Sequence, residues 1–217
     1  MNKRKKIVVS VILAAVLVIG CVSVALAANL GTLQYWGATY EGTVNEPDTT
    51  DSIGRCPATS LVVKTTKLSD DGAFQFILAV QDAVTQWKTA LGKNITTSSS
   101  ATYPDIDYFG GTTEELLTYT GISIPNGVAG RTIRVNYYVE GTWTYAGVSK
   151  TGYYQTLSYC FIRNGSTNDI YNTAAHELGH ALGWMGHTEN RNDVMHYQSD
   201  DATTLSNLDK NHLKQVY

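Results

Sequence analysis

The run His176-Glu177-Leu178-Gly179-His180-Ala181-Leu182-Gly183 narrows what this chain can fold into more than any other segment. Side chains four apart on an α-helix lie on one face, a turn apart. His176 and His180 can therefore aim two imidazoles at one point if the segment is helical. Glu177 stands one step round the same helix. Glycine readily takes the left-handed conformation that stops a helix and turns the chain back, and Gly183 sits where that stop is needed. The reversed chain can then deliver His187. Four of the five histidines lie between positions 176 and 196, so the imidazole of this chain is concentrated around one turn.

Imidazoles at this spacing suit zinc. A catalytic zinc takes three protein ligands and keeps a fourth position open. The helix face cannot supply the third, because its next position is Trp184. His176, His180 and His187 are the candidate ligands of one catalytic Zn2+. Zinc lowers the pKa of its bound water to about 7 and polarises a carbonyl. Glu177 is placed to take the proton of that water and pass it to a leaving amine, which makes it the candidate general base of peptide-bond hydrolysis. His-Glu-x-x-His alone arises by chance on helices, and Glu177 or Gly183 alone would read as a surface carboxylate and a helix stop. With His187 added, coincidence is a poor account of the pattern.

The pattern resembles the metzincin metallopeptidases, whose signature is His-Glu-x-x-His-x-x-Gly-x-x-His followed by a methionine turn. It is most similar to the matrixin branch, particularly secreted bacterial members. Asp193-Val194-Met195-His196 matches the methionine turn, with Met195 eight residues after His187. The resemblance implies a zinc endopeptidase acting on protein or peptide substrates, with Met195 as a hydrophobic floor beneath the metal; taken alone, Met195 would read as core. It covers about residues 60–217, strongly in the last 50 and loosely before. The implied fold is α+β and metzincin-like: a twisted mixed sheet backed by a long helix, the motif helix, the Met turn and a C-terminal helix.

One feature departs from the family. Gly186 occupies the place of its third histidine, and His187 comes one residue later. Gly186 can absorb the added residue as a bulge, which keeps His187 as third ligand, with His196 as the alternative. Met195-His196-Tyr197 resembles the Met-x-Tyr of astacins and serralysins, which makes Tyr197 a candidate oxyanion stabiliser. Packing is its competing role in a chain with 14 tyrosines. No histidine precedes His176, so the second, structural zinc of many animal matrixins cannot be built from imidazole here. Calcium needs only oxygens, and Asp105, Asp107, Glu114 and Glu115 are candidate donors, although no ordered calcium loop is visible.

The N-terminus reads as a leader. Lys3, Arg4, Lys5 and Lys6 precede an apolar run to Leu26, and Ala25-Leu26-Ala27 is the small-x-small pattern cut by signal peptidase. Residues 1–27 are thus expected to be a signal peptide and the protein to be secreted. An uncleaved anchor is a second reading, since the run is long enough to span a bilayer. A third is a lipid anchor at Cys21, because Val18-Ile19-Gly20-Cys21 resembles a lipobox.

Removing the leader takes away four of 16 Lys+Arg and none of 19 Asp+Glu, moving the formal charge from −3 to −7. An acidic exported chain without a basic stripe is a poor nucleic-acid binder. No membrane partner is expected after cleavage, and a monomer is expected. Cys56 and Cys160 remain, and in an oxidising compartment an even pair most simply forms one disulfide. Arg55-Cys56-Pro57 also faintly resembles the matrixin cysteine switch, in which a pro-segment thiol blocks zinc.

Residues 28–59 are polar and turn-rich, an N-terminal extension or short pro-segment before a catalytic domain at 60–217. Ser60 to Thr66 is β-branched and strand-like. From Ala73 to Leu91, Phe74, Ile77, Leu78, Val84, Trp87 and Leu91 recur at helical spacing, and Gly92 ends the helix. Thr96 to Thr102 is strand or loop, and Thr113 to Thr118 a short helix. Strands are expected at Thr132 to Val139, Thr142 to Val148 and Thr156 to Arg163, the last two separated by Lys150-Thr-Gly152. The motif helix is expected from Asp169 to Leu182. A last helix runs from Leu208 to Val216, with Ser206 and Asp209 at capping-box spacing.

The competing functional reading is a non-catalytic secreted module that binds glycan or a surface partner through Tyr137, Tyr138, Trp143, Tyr145, Tyr153, Tyr154 and Tyr159. Aromatics on strands usually serve packing, and such a module has no use for Glu177.

Overall fold

The computed structural model describes residues 60–69, 72–135, 139–145, 148–154, 157–165, 167–184, 186–198, 202–214 and 217. The leader, Cys21, residues 28–59 and Cys56 lie outside this set, and so does any test of a signal peptide or of a Cys56–Cys160 bond. No helix among the described residues is long and apolar enough to cross a membrane.

The elements in chain order are β1 (Ser60–Lys67), α1 (Ala73–Leu91), β2 (Asn94–Ser98), β3 (Ile106–Gly111), α2 (Thr113–Thr120), β4 (Gly130–Val135), β5 (Val139–Tyr145), β6 (Val148–Tyr154), β7 (Leu157–Arg163), α3 (Thr167–Leu182) and α4 (Asn207–Lys214). The fold is α+β, with a mixed five-stranded sheet in the order β2-β1-β3-β7-β4. β2, β1, β3 and β7 run parallel, and β4 closes one edge antiparallel to β7. β5 and β6 form a separate antiparallel hairpin.

Side chains alternate across a strand, which divides the core in two. Leu61, Val63, Tyr108, Cys160 and Ile162 join α1 and α3 in the main core. Phe109 and Phe161 face the other way, into a smaller cluster with Leu116 of α2.

α1 has the expected bounds, and Gly92 caps it at φ 64°. Its buried face differs from the expected stripe. Phe76, Ala79, Val80, Ala83, Val84 and Trp87 are buried, whereas Phe74 is 69% exposed. The stripe of large residues is displaced because small alanines, and not only bulky side chains, make the face that meets α3. Two donors then fix α3 directly before its first histidine. Trp87 Nε1–H donates to Ala175 O at 2.8 Å, and the Tyr108 hydroxyl donates to Ala174 O at 2.9 Å.

The sequence reading needs correction in two places. β3, which lies at the centre of the sheet, was not anticipated. Lys150-Thr-Gly152 does not separate two strands but lies within β6, with Gly152 opposite Gly141. Of the expected strand Thr132 to Val139, Thr132 to Val135 lies in β4 and Val139 opens β5, while residues 136–138 lie outside the described set.

Three of the four carboxylates considered for calcium make contacts within the fold. Asp105 accepts the Val62 N–H at 2.7 Å. Asp107 lies 3.8 Å from Lys64 Nζ, and burial raises its pKa against that ion pair. Glu115 completes the capping box of α2 with Thr112.

Candidate metal centre

α3 brings the Nε2 atoms of His176 and His180 to 3.0 Å from each other. Each ring is fixed through its other nitrogen. His176 Nδ1 meets Val194 O at 2.8 Å and His180 Nδ1 meets Trp184 O at 2.8 Å. A carbonyl only accepts, so each Nδ1 carries the proton and each Nε2 presents a lone pair.

Gly183 makes the reversal. Trp184 N–H donates to Gly179 O at 2.9 Å and Gly183 N–H to His180 O at 3.1 Å, the paired bonds of a Schellman C-cap. Gly183 has φ 118° and Gly186 φ 111°, a region that side chains with a Cβ rarely enter. The turn returns the Trp184 carbonyl to His180 and carries His187 to the other two rings, with centroids 5.1 Å from His176 and 5.0 Å from His180. One nitrogen from each ring lies within 4.8 Å of the others.

Three nitrogens about 2.0–2.1 Å from a tetrahedral zinc would stand about 3.4 Å apart, so this donor set fits zinc. Burial pushes His176 down to about 4 and lowers His187 as well, the nearby His196 adding to both. Neutral imidazole is the form a metal requires. Among the described residues these three form the metal-competent group.

The turn at Val194–Met195 packs on the motif helix, Val194 O against His176 and Met195 against Gly179. Met195 is fully buried. Asp209 accepts Val194 N–H at 2.9 Å and Met195 N–H at 3.3 Å. Ser206 N–H also donates to Asp209, while Ser206 Oγ caps Asp209 N–H. The expected capping box is therefore present, and its carboxylate has a second task in holding the Met turn. Burial raises the Asp209 pKa, and these hydrogen bonds pull it back. Thr188 N–H donates to Met195 O at 2.9 Å, so the residue after His187 is pinned to the same turn.

His196 is buried and contacts its own turn, with Gln198 N–H donating to its Nδ1 at 3.3 Å. It is not grouped with the three ligating candidates. Tyr197 is 61% exposed and packs its ring 4.4 Å from that of His196. It lines a cleft of about 770 Å³ bounded by Gly127 to Thr132, by α3, and by residues 196–198.

Glu177 is buried beside this cleft. The Thr132 hydroxyl lies 2.5 Å from Glu177 Oε2 and 3.0 Å from its main-chain oxygen. The Cys160 sulfur, fully buried, lies 3.7 Å from the same main-chain oxygen. Thr132, Gly130 and the second role of Asp209 were not visible in the sequence. They depend on strand register and on contacts between distant segments.

A motif helix with two ring nitrogens, a glycine reversal bringing a third, and a buried methionine turn together define a metzincin. Residues 79–217 match the family model of the matrixin peptidases, and the chain belongs to the matrixin family. Zinc-dependent endopeptidase activity is the general function of that family. No curated protein matches the chain.

Proposed function

We propose that this protein is an exported zinc endopeptidase in which His176, His180 and His187 hold one Zn2+ and Glu177 is the general base. The observation that carries the reading is the convergence of the three imidazoles, two of them fixed through Nδ1 by carbonyls. Zinc in this place supplies Lewis acidity, lowering the pKa of water and polarising the scissile carbonyl. Glu177, buried beside His176, takes the proton of the attacking water and delivers it to the leaving amine. Met195 packs beneath the ligands as an apolar floor. Tyr197, on the cleft wall, is proposed to donate to the developing oxyanion. The substrate is a protein or peptide lying in the cleft between β4 and residues 196–198.

Export rests on the leader sequence, with residues 1–27 removed and residues 60–217 forming the catalytic domain. The glycan-module reading loses one of its aromatics to packing: Tyr159 lies against the small core, 6.2 Å from the Phe109 ring.

The test is hydrolysis of casein by zinc-loaded protein, before and after chelation, beside Glu177→Ala. The reading expects activity lost on chelation and restored by zinc, with the variant binding zinc and hydrolysing nothing measurable. Zinc-replete protein inert on broad peptide libraries would overturn it.

A further inference from the structure

We infer that Thr132 is a positioning residue for Glu177, and that β4 packs closely against that carboxylate. This rests on the reading of Glu177 as general base. Thr132 and Gly130 are two apart on β4, so they face the same side of the strand, toward α3. Thr132 Oγ1 lies 2.5 Å from Glu177 Oε2 and 3.0 Å from Glu177 O. A hydroxyl has one proton to give. A carboxylate oxygen is the stronger acceptor, and O–H···O⁻ bonds run about 2.5–2.7 Å, so the proton goes to Oε2.

Gly130 confines the other oxygen. A Cβ there would lie 2.7 Å from Glu177 Oε1, 2.9 Å from its Cγ and 2.5 Å from Thr173 Cγ2. The backbone of β4 approaches the carboxylate as only a glycine allows. One oxygen accepts a hydrogen bond, and the other lies where only a glycine on β4 leaves it room. A long, flexible side chain next to a metal site is thereby kept in one arrangement. Strand register sets the geometry, since Thr132 pairs with Cys160 of β7 and Cys160 in turn lies on the Glu177 main chain.

The test compares wild type with Thr132→Val, which keeps the shape and strand preference but removes the donor, and with Thr132→Ser, which keeps the donor. On a peptide substrate with zinc-loaded protein, Thr132→Val should lower kcat about 10–100-fold, the usual cost of removing an outer-shell partner. KM, zinc content and Tm should be nearly unchanged, and Thr132→Ser should recover most of kcat. A valine variant with wild-type kcat, a loss confined to KM, or serine as impaired as valine would overturn the inference.

A second readout does not depend on hydrolysis. With glutamate labelled at the carboxyl carbon, the resonance absent from Glu177→Gln should move in Thr132→Val at a single pH and return in Thr132→Ser. If it stays in place in the valine variant, Thr132 does not hold the carboxylate. Should Glu177→Gln hydrolyse as fast as wild type, the general-base reading fails, while this resonance still decides the contact.

Discussion

Gly179 of the motif helix lies directly on the sulfur of Met195. A Cβ at position 179 would meet that sulfur at a distance no side chain tolerates, and would stand 3.1 Å from both the Met195 methyl and Trp87 Cζ2. The residue directly before His180 is therefore small because Met195 presses against the helix at that point.

Gly179→Ala tests this contact with opposing effects. Alanine favours helix over glycine by about 1 kcal/mol, whereas overpacking a full core costs about 1–3 kcal/mol. Met195 and Trp87 are both fully buried and have no space to yield. The variant should be less stable than wild type and bind zinc more weakly, as read by urea denaturation and chelator competition. An unchanged or raised stability would contradict the contact.

Asp209 ties the last helix to the Met turn. Its carboxylate accepts from Val194, Met195 and Ser206. Asp209→Asn keeps the size but replaces one accepting oxygen with a donor that faces other donors. Leaving buried groups unmatched costs about 1–3 kcal/mol. Because Val194 O also orients His176, zinc affinity should fall with stability. Loss of stability without loss of affinity would show that the metal site does not depend on this carboxylate.

Acid should destabilise the chelator-treated protein in a defined window. Burial holds His176 and His212 at about 4, against an ordinary 6.5. Their folded values lie below the unfolded ones, so the unfolded chain takes up protons first as the pH falls. The contribution is complete above about 6.5 and is lost as the pH falls toward 4, on the order of 3 kcal/mol for each group. His212 is outside the group of three imidazoles and stacks on Trp184 at 3.8 Å. Urea midpoints at pH 7.5, 5.5 and 4.5 should therefore decline, and less steeply in His212→Gln. A flat profile would contradict buried neutral imidazoles at both places.

The sequence made the motif helix and its stop legible because both depend on local spacing: two histidines four apart and a glycine at the turn. α1 was legible for the same reason, with Gly92 marking its end. β3 was not. Ile106-Asp-Tyr-Phe-Gly-Gly111 is short, carries a carboxylate and two glycines, and is buried along its whole length, so it shows no alternation to read. Lys150-Thr-Gly152 misled because turn-like residues also occur where two glycines face each other across a hairpin. The Thr132–Glu177 contact spans 45 positions and exists only once β4 is in register with β7. Spacing identified the candidate ligands; the supporting residues came from tertiary packing.

X-ray absorption at the zinc edge tests the central claim most directly. The protein should carry one zinc with three imidazole nitrogens at about 2.0–2.1 Å, and His187→Ala should reduce that count to two with a marked loss of affinity. A wild-type spectrum with only two imidazoles, or one unaltered by His187→Ala, would contradict it.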